Sequence, residues 1–115
     1  MLNRRDKRRY LAIWNGDHRY DRRKIVDAIS KRSSELFGQI ATEKARIRFI
    51  GVDEKEVIVI ISCKLEMLGT MLSTIGLMQP PIVLLCISGT LKALRTRMER
   101  NAEKFLSAFL STTTD

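Results

Sequence analysis

Carboxylates are scarce in this sequence: 13 Asp and Glu stand against 21 Lys and Arg, a net charge of +8. No paired acids fall at strand ends in a metal-binding arrangement; where a two-metal nuclease would need them, the chain has Arg and Ile. There is one histidine, His18, in the turn Asn15-Gly16-Asp17-His18. No nucleophile or carboxylate pair accompanies it at a recognisable spacing, so it reads as a loop residue. Neither a Ser-His nor a Cys-His set is evident, and the six glycines form no phosphate loop. Catalysis by this chain alone is therefore not expected, and neither is a metal or cofactor of its own.

The two cysteines, Cys63 and Cys86, lie in apolar strand contexts without metal-ligand spacing. They read as small core residues in a reducing, cytoplasmic compartment. Residues 4–9 are all charged, which is not the opening of a signal peptide. Met67 to Leu91 carries no charge, but Gln79, Pro80 and Pro81 interrupt it and Gly69 and Gly76 dilute it. That pattern reads as a helix, a break and a strand, each too short to span a bilayer, so no membrane partner is expected.

What the chain does have is a basic excess on an ordinary hydrophobic content of 44% over 115 residues. This suits a single globular domain over 10–110, preceded by a basic arm over 1–9 and followed by a disordered tail over 111–115. The charge favours polyanions, nucleic acid first and anionic membrane second. Arg4, Arg5, Lys7, Arg8 and Arg9 put five cations in six positions; they read as phosphate contacts or as a solvated tail.

Tyr10 to Trp14 alternates as a first strand, with Leu11 and Ile13 on one side and Tyr10, Ala12 and Trp14 on the other. Asp21 suits the cap of a helix from about Arg22 to Gly38, with Ile25, Val26, Ile29, Leu36, Phe37 and Ile40 as its apolar stripe. Ala45 to Ile50 alternates as a half-buried edge strand, with Ala45, Ile47 and Phe49 inward and Arg46 and Arg48 outward. Gly51 to Lys55 turns the chain, and Val57 to Cys63, apolar on both faces, reads as a central strand. Leu65 to about Met78 forms a second helix with Leu68, Met71, Leu72 and Ile75 buried.

The stretch Ile82 to Leu94 organises the rest. Six apolar residues follow Pro80-Pro81 and read as a strand buried on both faces. Ser88-Gly89-Thr90 then stops the strand and starts a helix to about Leu110, striped by Leu91, Leu94, Met98, Ala102, Phe105 and Phe109. Lys92 and Arg95 lie on its basic side, which Glu99 and Glu103 interrupt. Ser88 and Thr90 read either as simple caps or as part of a phosphate site at the helix start.

The order strand, helix, strand, strand, helix, strand, helix is the α+β, ferredoxin-like or RRM-like split βαβ pattern with an extra C-terminal helix. Its usual strand order puts strand 1 between strands 3 and 4 and leaves Cys63 and Cys86 about 9 to 10 Å apart, which forbids a disulfide. Domains of this kind often stack bases on aromatics of strands 1 and 3. Strand 3 here has none, and only Tyr10 and Trp14 are available in strand 1. RNA would be met through phosphates and shape, and the apolar open face would be covered by the last helix or by a protein partner.

Three short pieces carry a family resemblance: Arg8-Arg9-Tyr10-Leu11 opening the first strand, Leu36-Phe37-Gly38 closing the first helix, and Ile87-Ser88-Gly89-Thr90-Leu91-Lys92-Ala93-Leu94 leaving the last strand. In this order they resemble archaeal ribonuclease P protein component 2, the relative of the eukaryotic Pop-five subunit, over roughly residues 8–94. The resemblance implies an RNA-binding accessory subunit of the ribonucleoprotein that removes 5′ leaders from precursor tRNA. The ribonuclease P RNA with its magnesium would do the chemistry. The chain would pair with protein component 3 and self-associate. It departs from the family early in the second helix, where Met67-Leu68-Gly69-Thr70 replaces a basic residue followed by small ones. On this reading Arg4, Arg5, Lys7, Arg8, Arg9, Ser88, Gly89, Thr90, Lys92 and Arg95 contact RNA. The alternative is a protein-interaction module whose charge is incidental.

Overall fold

The computed structural model describes residues 7–15, 24–52 and 58–100. The chain runs β1 (Arg8–Trp14), α1 (Ile25–Phe37), α2 (Gln39–Ala45), β2 (Arg48–Val52), β3 (Ile58–Lys64), a short 3-10 turn (Leu65–Met67), α3 (Leu68–Gly76) and β4 (Val83–Ser88). A further helix, α4, follows over 91–100. The four strands form one antiparallel sheet in the order β2-β3-β1-β4, so β1 does lie between β3 and β4. This is the ferredoxin-like α+β arrangement with an added C-terminal helix.

Alternation assigns the two faces. Leu11 and Ile13 of β1 and Val59, Ile61 and Cys63 of β3 meet Ile25 and Ile29 of α1 and Met71 and Ile75 of α3 in one buried cluster. Burying side chains of this size stabilises by about 1.5–3 kcal/mol each, which holds α3 despite Gly69 and Gly76. On the opposite face Ala12 is fully buried, and so is Leu94 of α4, yet neither belongs to that cluster. Arg97 Nη1 also donates to the Ile87 carbonyl at 2.8 Å. Helix α4 therefore lies over the face that α1 and α3 leave open.

Several boundaries differ from the sequence reading. β1 begins at Arg8, because its ladder with β3 extends to the Arg8–Lys64 pair; Arg8 and Arg9 belong to the sheet and not to an arm. The α1 stripe is Ile25, Ile29 and Ser33, while Phe37 and Ile40 are 45% and 73% exposed. Gly38, at φ +94°, ends α1 just after Phe37 and turns the chain into α2, which takes Ile40 out of the α1 stripe. Lys24 holds the N-cap position of α1 without a side-chain bond, and the expected cap Asp21 lies outside the described residues.

Ala45, expected to open the second strand, instead closes a separate helix, α2, over Gln39–Ala45. It ends at Arg46, whose backbone is left-handed at φ +48°, and only then does β2 start. Ala45 is buried as a helical residue, and Phe49 is exposed beside a bulge between Phe49 and Gly51. Gly51 and Val52, expected in the turn, complete β2. β4 is an edge strand and is not buried on both faces: Val83 and Leu85 are 46% and 41% exposed. Cys63 and Cys86 are both free thiols, and they face opposite sides of the sheet by their pairing with Arg9 and Ala12.

Candidate functional site

The start of β1, the end of β3, the end of β4 and the start of β2 all fall at one end of the sheet. Most of the predicted contact residues collect there. Arg9, on the α1 side of β1, reaches the turn after β4: a Cβ added to Gly89 would lie 3.4 Å from Arg9 Nη1. The same Nη1 donates to the Arg8 carbonyl at 3.0 Å. The Arg9 guanidinium thus lies against the backbone where α4 begins.

Both hydroxyls of that turn serve the helix. Thr90 Oγ1 accepts the Ala93 N–H at 3.1 Å, an N-cap in the ordinary sense. Ser88 Oγ accepts the Thr90 N–H at 3.4 Å and is buried. Of the two readings of Ser88 and Thr90, capping is what their hydrogen bonds perform. Lys92 and Arg95 are exposed on the first turns of α4. Cations at a helix start oppose its dipole, a cost of a few tenths of a kcal/mol that an anion at the same place would offset.

Arg8 takes the other face. Its Nε and Nη2 donate to Ser62 Oγ at 3.2 and 2.9 Å, and Nη2 donates also to the Arg46 carbonyl. The left-handed turn at Arg46 aims that carbonyl at β1, so one side chain ties β1 to β3 and to the α2–β2 junction. Burial, and after it the neighbouring Arg48, push the Arg8 guanidinium below its ordinary value. Arg48 sits directly across from Ser62 in the β2–β3 ladder and is exposed.

None of Arg8, Arg9, Arg48, Lys92 and Arg95 pairs with a carboxylate among the described residues, where an ion pair is seen between Arg32 and Glu35 on α1. Glu43 and Glu66 line a shallow groove of about 460 Å³ with Ile40, Lys44, Arg46 and Lys64, and Glu43 accepts from Gln39. No group of three or more His, Cys, Asp or Glu side chains gathers to hold a metal among the described residues. No helix of the described residues is long and apolar enough to cross a membrane. What this end of the sheet can do chemically is present fixed guanidinium groups, backed by hydroxyls and backbone, to an anion.

Lys7 precedes the strand, and its carbonyl accepts the Leu65 N–H at 2.9 Å. Arg4 and Arg5 lie outside the described residues, as does α4's predicted course beyond residue 100. Sequence reasoning missed Arg48 and Arg97. Arg48 was visible only as an outward position of a strand, and its nearness to Arg8 needs the register of three strands. Arg97 is engaged in fastening α4 to β4. No protein-family profile matches the chain, and no curated protein matches it in sequence.

Proposed function

We propose that this protein is an RNA-binding accessory subunit of ribonuclease P, which supports the catalytic RNA in removing 5′ leaders from precursor tRNA. The observation that carries the proposal is the convergence of Arg8, Arg9, Gly89 and the start of α4 at one sheet end, since these residues belong to the motifs that resemble the family. The cations meet phosphates, and magnesium is held by the RNA. Protein component 3 and a second copy of the chain are the protein partners, in the cytoplasm, where Cys63 and Cys86 stay reduced.

The test is reconstitution: precursor-tRNA cleavage by the catalytic RNA at low magnesium, with component 3, with and without this chain. Stimulation is the expected result, and its absence refutes the assignment. With about five phosphates engaged, log affinity falls with log salt at a slope near −4. Removing residues 1–6, which spares the Lys7 carbonyl bond to Leu65, lowers that slope by about two units if Arg4 and Arg5 each meet a phosphate.

A second reading, a protein-interaction module, is favoured by Trp14 and Val83, which pair across β1 and β4 and are both exposed. Light scattering beside an RNA gel shift separates the two. A dimer that ignores RNA supports the module.

A further inference from the structure

We infer that Arg8 and Arg48, on either side of Ser62 on the α4 face of the sheet, form a two-arginine clamp for one backbone phosphate of RNA; this rests on the RNA-binding reading above.

The geometry assigns the two arginines different parts. Arg8 is fixed: Nε and Nη2 are consumed by Ser62 Oγ and the Arg46 carbonyl. A guanidinium has five N–H donors, so the two on Nη1 are left, and they have no acceptor among the described residues. Arg48 is exposed, and its side chain makes no hydrogen bond or ion pair among the described residues. The register holds it beside Arg8, because Ser62 pairs with Tyr10 on one side and Arg48 on the other while Arg8 bonds that same serine.

Two like charges held this close repel; burial is the main reason the Arg8 guanidinium sits below its ordinary value, and Arg48 adds to it. No carboxylate offsets them among the described residues. An anion between the two groups removes the repulsion and accepts from both. A phosphodiester suits this because its two free oxygens can each take a guanidinium edge. Arg8, already ordered by the fold, loses little further freedom on binding.

The experiment uses the full chain and a labelled RNA stem-loop of mixed sequence, titrated across a series of salt concentrations. Arg48→Glu is compared with Lys31→Glu, an equal charge change on an exposed residue of α1. Arg48→Glu is expected to bind about tenfold more weakly than Lys31→Glu at 0.1 M salt, with a slope shallower by about one unit, the share of one phosphate. It should also melt at or above the wild type, since a carboxylate beside Arg8 replaces repulsion with attraction. If it melts lower, Arg48→Gln against Lys31→Gln is judged by the same slope. Equal losses at positions 48 and 31 overturn the clamp and leave RNA binding standing. A wild-type chain that shows no salt-dependent RNA binding overturns the functional reading itself, and the clamp with it.

Discussion

Replacing Arg8 with alanine is expected to destabilise the fold by about 2 kcal/mol, although the residue is charged and begins a strand. Hydrogen bonds from a charged donor contribute about 1.5–3 kcal/mol each, and Arg8 serves two acceptors on two other elements. Ser62, only 1% exposed, would keep a hydroxyl without its partner, which costs about 1–3 kcal/mol. Against this, Arg8 is half-buried and its removal relieves the repulsion from Arg48, so the net falls well below the sum. For a domain of this size about 2 kcal/mol corresponds to a melting temperature lower by roughly 8 °C. The assay is urea denaturation of wild type, Arg8→Ala, Ser62→Ala and the double variant. The two losses should overlap by about 1 kcal/mol, the double costing little more than Arg8→Ala alone. Additive losses would show that the Arg8–Ser62 bond does not hold the sheet end together.

Three further outcomes follow from the same structure. Leu94→Ala should cost about 3 kcal/mol by chemical denaturation, because Leu94 is fully buried on the face α4 covers; a loss under about 1 kcal/mol would mean α4 is not packed there. Gly38→Ala should cost about 1–2 kcal/mol, since φ of +94° suits glycine and an added Cβ meets nothing within 4 Å, so the loss is backbone strain and not a clash. Burial pushes the Cys63 thiol above its ordinary 9.0, the nearby Arg8 opposing this more weakly. The folded chain therefore holds that proton more tightly than the unfolded one, and the stabilisation is complete below pH 9.0 and declines as pH rises beyond it. The stability difference between wild type and Cys63→Ala should shrink above that pH, and a difference constant with pH would contradict it.

The elements that were legible are those whose pattern reflects a local rule. Leu11 and Ile13 against Ala12 and Trp14 gave the two faces of β1, and the twofold apolar run of β3 gave an interior strand. Ser88-Gly89-Thr90 gave the start of α4. The α2 helix was not legible. Gln39 to Ala45 is too short to show a period, and the left-handed Arg46 that separates it from β2 has no sequence signature, because an arginine there is held by what its carbonyl bonds. The β4 run looked buried on both faces because composition reports hydrophobicity and not neighbours. It lies at an edge, with Val83 and Leu85 exposed.

The candidate site divides in the same way. By itself the sequence determined that the chain is strongly basic, that residues 4–9 hold a run of cations, and that a small-residue turn joins the last strand to a basic helix. Only the tertiary structure decided that Arg8 and Arg9 are strand residues pointing to opposite faces, and that Arg48, forty residues away from Arg8, stands beside it across Ser62. The reason is physical. Charge and alternation are properties of neighbouring positions along a chain, whereas the meeting of two arginines depends on a ladder register set by the packing of Leu11, Ile13, Val59 and Ile61 against the helices.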